Sequence, residues 1–147
     1  MYIVGLIIYF LIVFFSVASH GYIGGIIDTT GFLFIVGSVL SIIISSGQLK
    51  DFLKLFKYVC KVKISEDDKA KFISLRGLSK KVILLSIYSS LLGFLLGIII
   101  LMMDMSDMTK VGHILKVSFT SLIYGLTMAF VVFLPINMKI EKYINER

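Results

Sequence analysis

The sequence predicts an all-α membrane protein with four transmembrane helices, on three observations. Of the 147 residues, 58% are hydrophobic and only 16% are charged, whereas about a quarter of the residues in a soluble domain are charged. A soluble domain of about 150 residues buries only about 70% of the surface that its unfolded chain exposes, so this apolar surplus needs lipid. The chain also divides into four apolar stretches, with most basic residues between the second and the third.

Four segments come close to the length of about 20 mostly apolar residues that a helix needs to cross a bilayer. They cover residues 2–18, 31–46, 82–103 and 114–136, and form a single domain. Every aspartate, glutamate and arginine lies outside them. Lys116 is the only charge inside, near an end, from which it can reach the headgroups. We interpret the first segment as a retained helix, because no positive region precedes it.

The orientation of these spans follows from the basic residues. The connection 47–81 contains ten of the fifteen lysines and arginines, and the C-terminal tail contains three. The other connections hold only Lys110 and the helix-end Lys116. Because short cytoplasmic loops carry the positive charge, both termini and the 47–81 loop are predicted to be cytoplasmic. No nucleic-acid motif accompanies this charge, so we expect no nucleic-acid partner.

Two helical extensions are predicted in the 47–81 loop. Apolar residues in its first half recur at the spacing of one helix face: Leu49, Phe52, Leu53, Phe56 and Val59. This pattern predicts that the second span continues as a helix into the cytoplasm. Acidic residues after Ser65 predict a helix start. That helix is predicted to run through residues 69–80 into the third span, with a possible break at Gly77.

Small and hydroxyl side chains in the third and fourth spans are the candidate functional residues. They are Ser86, Ser89, Ser90, Gly93, Gly97, Ser121, Tyr124 and Thr127. In lipid, helices associate through small residues, and rows of hydroxyls can line a path for water or an ion. Packing inside the four-helix bundle is the alternative, since hydroxyls also bond to their own helix backbone.

The four spans contain no acid and no histidine at their centres. A proton or cation carrier needs an ionisable group in the membrane, so any conducting role requires a carboxylate from another chain. We interpret His20 and His113, at the outer ends, as interfacial residues, with a pH-sensitive role as the alternative. Neither a catalytic constellation nor metal-ligand spacing is present, and Cys60 is the only cysteine. We therefore expect no enzyme activity, no metal and no cofactor.

Motifs in three spans resemble the MotA branch of the MotA/TolQ/ExbB family over about two-thirds of the chain. The residues that carry the resemblance are Asp28, the run 32–40, Ser89-Ser90, Gly93 and Gly97, Tyr124-Gly125, Leu134-Pro135-Ile136, and Lys139-Ile140-Glu141. In that family the fourth helix has a Tyr-Gly pair, an apolar run into Leu-Pro-Ile and a Lys-Leu-Glu-like end. The third helix has a Gly-x-x-x-Gly after small residues.

The resemblance implies a channel subunit of a rotary motor driven by ion flow across a bacterial inner membrane. The subunits would form a homopentamer around the membrane helices of a dimeric, single-span MotB/ExbD-like partner, which supplies a membrane aspartate. The candidate hydroxyls would then line the pore near the partner carboxylates. Gly93 and Gly97 would admit the partner helix closely, and Pro135 would bend or end the fourth helix near the cytoplasmic face.

Departures from the family pattern define the alternatives. Ser121 and Leu122 stand where sodium-driven members have threonines, so the resemblance points to protons. Ile87 replaces a usual proline, and Phe94 replaces a threonine or alanine. The 47–81 loop is also much shorter than in flagellar members. The alternatives are a non-conducting membrane scaffold of the same fold and a small solute transporter. The transporter has less support, because the chain has no charged substrate site and no clear repeat.

Overall fold

The computed structural model describes residues 2–18, 28–60, 69–103 and 108–145, and the regular secondary structure in these ranges consists of helices. The first four helices are α1 (Tyr2–Ala18), α2 (Thr29–Ser45), α3 (Leu49–Cys60) and α4 (Lys69–Met103). The fifth is continuous and comprises α5 (Met108–Thr127), a π-helical segment (Met128–Phe133) and α6 (Leu134–Asn145). For the described part of the chain, the predicted all-α class is confirmed.

Two of these helices are long and apolar enough to cross a membrane, over Phe72–Met103 and Lys110–Asn145. Helices α1 and α2 are apolar but have only 17 residues each. At 1.5 Å per residue, a helix of that size is about 26 Å long, slightly less than the hydrocarbon core of about 30 Å. The count of four spans therefore stays a prediction.

The expected continuation of the second span into the cytoplasm is wrong, because α2 ends in a Schellman motif. The N–H of Gly47 donates to the carbonyl of Ile44 at 2.9 Å, and the N–H of Gln48 donates to that of Ile43 at 3.1 Å. Gly47 has a φ of 68°, which glycine adopts without steric cost. Helix α3 is therefore a separate element that starts after this turn.

The predicted helix over residues 69–80 and its continuity with residues 82–103 are confirmed, because α4 runs for 35 residues without a break at Gly77. A helix of this size is about 52 Å long and exceeds the thickness of the hydrocarbon core. The predicted helix start at residues 65–68 lies outside the described residues, as does His20.

A hydrophobic core lies where the C-terminal part of α2, the first part of α4, α3, the π-helical segment and α6 meet. We call it the basal core, and its buried residues are Val39, Ile43, Phe52, Leu55, Phe72, Leu75, Leu78, Val82, Phe133, Ile136 and Ile140. The predicted apolar stripe of α3 is only partly correct. Phe52 is buried, but Leu49 and Leu53 are exposed, and Leu55 takes part in the core instead.

Candidate functional site

Glycines bring α4 and α5 into close contact along their length. A β-carbon on Gly97 would collide with Oγ of Ser118 and lie 2.8 Å from its Cβ. A β-carbon on Gly125 would collide with Cβ of Ser90 and lie 2.7 Å from the carbonyl oxygen of Ser86. These two positions therefore require glycine for the helices to pack as they do.

The contacts follow an antiparallel order along both helices. Gly97 faces Ser118, the next pair is Gly93 with Ser121, and one turn further Ser90 faces Gly125. Steps of three or four residues keep each row on one helix face. We call this contact the glycine–serine seam, formed by Ser86, Ser90, Gly93 and Gly97 of α4 and by Ser118, Ser121 and Gly125 of α5.

The seam contains five of the eight residues that the sequence predicts to line a pore. Ser86 and Ser90 are 0% exposed and Ser121 is 3% exposed, and Ser89 beside them is also buried. The resemblance implies that a partner helix packs closely against Gly93 and Gly97, but α5 of the same chain occupies that place. The role of these residues in a pore between subunits stays a prediction.

Hydroxyl groups in the seam donate to their own helices. Oγ of Ser86 donates to the carbonyl of Val82 at 2.8 Å, and Oγ of Ser121 donates to that of Ser118 at 2.8 Å. Ser90 donates in the same way to Ile87 at 2.7 Å. A hydroxyl has one hydrogen to donate, so each of these oxygens offers only acceptor lone pairs to its surroundings. The seam can pack helices and accept hydrogen bonds, but its side chains carry no charge.

Tyr124 and Thr127, the two remaining hydroxyl candidates, join α5 to other helices. The backbone N–H of Asp28 donates to the Tyr124 hydroxyl at 3.0 Å, and the ring of Phe32 meets the Tyr124 ring edge-on at 5.9 Å. The Thr127 hydroxyl lies 3.5 Å from that of Tyr9 in α1. Both residues are half-buried. They hold the N-terminus of α2 and the middle of α1 against the fifth helix.

Pro135 does not end the last helix, which continues to Asn145. A proline lacks the N–H of a helical turn, and its ring collides with the carbonyl four residues earlier. Here the π-helical segment precedes the proline, and the N–H of Leu134 donates to the carbonyl of Ala129, five residues back. This wider turn accommodates the proline and turns Ala129 and Phe133 into the protein, where both are buried.

A polar contact that the sequence did not indicate links α4 to α6 at the basal core. The guanidinium of Arg76 forms an ion pair with the carboxylate of Glu141, and the two side chains are 33% and 36% exposed. Asn137 is buried one turn away, and its Oδ1 has no hydrogen-bond partner among the described residues. Asn137 and Glu141 are four residues apart on α6, and Arg76 reaches Glu141 from α4, so polar groups interrupt the apolar packing here.

Beyond these features, the part of the chain that the structure describes contains no group of three His, Cys, Asp or Glu side chains that could hold a metal ion. No protein-family model and no curated protein sequence matches this chain.

Proposed function

We propose that this chain is a four-span membrane protein that serves as the channel subunit of a rotary motor driven by an ion gradient, with protons as the ion. Five copies surround the membrane helices of a dimeric single-span partner, as in the MotA/TolQ/ExbB family that the sequence resembles. The order of the motifs supports this proposal: Asp28 before α2, the Gly93 and Gly97 pair in α4, Tyr124-Gly125 in α5, and Pro135.

The membrane location rests on the exposure of the two long apolar helices. Only 17% of the most apolar window of α4, and 33% of that of the last helix, is buried inside the chain. Large side chains such as Leu92, Leu95 and Ile99 are more than half exposed. The core helix of a soluble protein would be mostly buried, because exposed apolar area costs roughly 25 cal/mol per Å² in water. Lipid or neighbouring subunits cover these faces in the proposal.

The distribution of charge supports the proposed orientation. Lys50, Lys54, Lys80 and Lys81 are all exposed near the basal core. A core of large apolar side chains together with surface lysines is typical of a segment in water. By the positive-inside rule this end faces the cytoplasm, which also places both termini there if all four helices cross the membrane.

Ion movement in this proposal depends on the partner. The predicted spans contain no aspartate or glutamate, and a proton pathway through a membrane needs an ionisable group. The partner aspartate would supply it, on a helix enclosed by α4 and α5 of each subunit. The ring of subunits then supplies the packing surface and the seal against water.

A non-conducting scaffold is the second candidate, and the burial of the seam favours it. Because Ser86, Ser90 and Ser121 are covered inside one chain, they leave an apolar outer face on α4 and α5. Phe94 and Phe119 pair on that side, with ring centroids 5.3 Å apart. Such a face can hold a partner helix without providing a polar wall for ions.

The first test is the subunit count of the purified full-length protein in detergent, by native mass spectrometry. The proposal expects a pentamer that retains the single-span partner when both are expressed together. A monomer or a two-fold dimer would overturn the ring and with it the motor.

Proton flux separates the two candidates. The complex is reconstituted in liposomes with a pH-sensitive dye inside, and a membrane potential is applied. With a channel subunit, the dye reports acidification of the liposome interior, and this acidification disappears when the partner aspartate is changed to asparagine. A pentamer with no flux above that of empty liposomes would establish the scaffold instead. A flux that the substitution leaves unchanged would overturn the pathway through the partner aspartate.

A further inference from the structure

A groove lies on the surface between the C-terminal end of α2 and the middle of α4, away from the seam. Its volume is about 330 Å³, near the lower end of the range of about 300–1,000 Å³ that small-molecule sites occupy. Apolar side chains form most of its wall, and among them Ile42, Leu84 and Tyr88 are about half exposed. The groove is therefore open to whatever surrounds the helices.

One end of the groove is polar. Ser46 and Gln48, from the turn that ends α2, lie there together with Lys81 of α4. The Ser46 hydroxyl donates to the carbonyl of Ile43 at 2.9 Å, so it has no hydrogen left to offer a ligand. The ammonium group of Lys81 and the side-chain amide of Gln48 are the donors that remain.

The groove spans the point at which α4 changes from a charged to an uncharged sequence. Lys81 is the last charged residue of α4, and residues 82–103 carry no charge. Tyr88 lies seven residues further on, which corresponds to about 10 Å along a helix. The polar end therefore coincides with the predicted membrane surface, and the apolar wall runs from there into the predicted hydrocarbon layer.

We propose that this groove binds an anionic phospholipid, with its phosphate at Lys81 and Gln48 and an acyl chain along Ile42, Leu84 and Tyr88. The inference rests on the proposed membrane location. Charge complementarity supports it, because a lysine and an amide both donate to phosphate oxygens. None of the acids that the structure describes lines the groove.

A lipid fits this groove better than a second copy of the chain does. A neighbouring subunit would cover Lys81 and remove it from water, which is costly unless an acid pairs with it. The described acids near this end, Asp51 and Glu141, are already paired with Lys54 and Arg76. A phospholipid supplies the counter-charge and leaves the ammonium group at the headgroup level.

The test measures lipid binding to the full-length protein extracted from membranes, by native mass spectrometry. The protein is titrated with phosphatidylglycerol or phosphatidylcholine that carry the same acyl chains. We expect tighter retention of phosphatidylglycerol, and a loss of about fivefold in its affinity for Lys81→Gln, since one lysine near a lipid phosphate contributes about 1 kcal/mol. Lys80→Gln is the matched control, because Lys80 is exposed on the neighbouring position but does not line the groove.

A second variant tests the apolar wall. Leu84 is 51% exposed, so Leu84→Trp fills the groove without disturbing the basal core, and should weaken the binding of both lipids. Equal losses for Lys80→Gln and Lys81→Gln would show diffuse attraction and overturn the site. Equal retention of the two lipids, or no effect of Leu84→Trp, would also overturn it.

These outcomes are separate from those of the proposed function. Lipid binding is counted per subunit, so a selective groove on a protein that forms no ring would refute only the motor. A pentamer with unselective lipid binding would refute only the groove. Absence of the protein from the membrane fraction would refute both.

Discussion

The same two helices pack by different rules at their two ends. In the glycine–serine seam, α4 and α5 meet through residues no larger than serine, such as Gly97 against Ser118. In the basal core, α4 meets the π-helical segment and α6 through large side chains. There Phe133 contacts both Phe52 and Phe56 of α3, at centroid distances of 6.0 and 5.9 Å. Backbones approach closely in the seam, whereas side chains fill the space in the basal core.

This difference is typical of a chain whose two ends are in different solvents. In lipid, clustering leucine or phenylalanine gains little, because the acyl chains are equally apolar, so helices gain from close backbone contact. In water, burial of large apolar side chains is the main driving force. The change begins near Lys81, where the charged part of α4 ends. Phe52, Leu55, Phe72, Leu75, Leu78 and Ile140 of the basal core lie outside the predicted spans, whereas Phe133 and Ile136 lie at the end of the fourth. If the two ends differ in this way, the basal core depends on large side chains, the seam on small ones, and the basal surface on contact with water.

The largest effect is expected in the basal core. Phe133→Ala removes a side chain that is 1% exposed and should lower the free energy of unfolding by about 3–5 kcal/mol. Phe130→Ala, in the same π-helical segment but 50% exposed, is the control and should cost much less. Denaturant unfolding of the purified protein in detergent measures both. Equal losses would show that the two phenylalanines are in equivalent surroundings and would remove the contrast between core and surface.

A smaller effect of opposite origin is expected in the seam, where an added methyl group is harmful. Gly125→Ala places a β-carbon against Ser90 and 2.7 Å from the backbone oxygen of Ser86, and should destabilise the protein by about 1–3 kcal/mol. Gly112→Ala in the same helix meets nothing within 4 Å. It should be neutral or stabilise by up to about 1 kcal/mol.

The same unfolding assay separates these glycines. A neutral Gly125→Ala variant would mean that the helices can move apart at no cost, and the seam would then not be the contact that holds α4 to α5.

The sequence predicts helices better than it predicts what covers them. The rows of small residues correctly indicate close packing at Gly93 and Gly97, but residue spacing defines a face and does not identify its partner. That partner is α5 of the same chain, as in the alternative of packing inside the bundle, whereas the family resemblance gives this contact to a helix of another protein. The matching row at Ser118, Ser121 and Gly125 has the same spacing and could have indicated the pairing.

Two further differences have local causes. The predicted continuation of α2 overlooks Gly47, a residue type that commonly ends helices in a left-handed conformation, because the apolar periodicity resumes immediately after it. The prediction that Pro135 would bend or end the helix overlooks the π-helical turn before it, and the helix does not end there. In that turn the N–H of Leu134 donates to the carbonyl of Ala129, five residues back, and burial of Ala129 and Phe133 stabilises the result.

The smallest effect tests the solvent at the basal surface through the Arg76–Glu141 ion pair. Both side chains are about one-third exposed. A double-mutant cycle with Arg76→Gln and Glu141→Gln should give a coupling energy of about 1 kcal/mol that decreases with salt. The Asp51–Lys54 pair is the control, because it joins neighbouring turns of one helix, with side chains 45% and 53% exposed. Its coupling should be smaller, about 0.2–0.5 kcal/mol.

The salt dependence of this coupling energy shows whether the basal core is in water or in the membrane. Dissolved ions screen the attraction of an ion pair in water, with a Debye length of about 8 Å at physiological ionic strength. They do not enter a hydrocarbon layer. A coupling between Arg76 and Glu141 that is large and independent of salt would place the basal core inside the membrane. The contrast between the seam and the basal core would then need a cause other than a change of solvent.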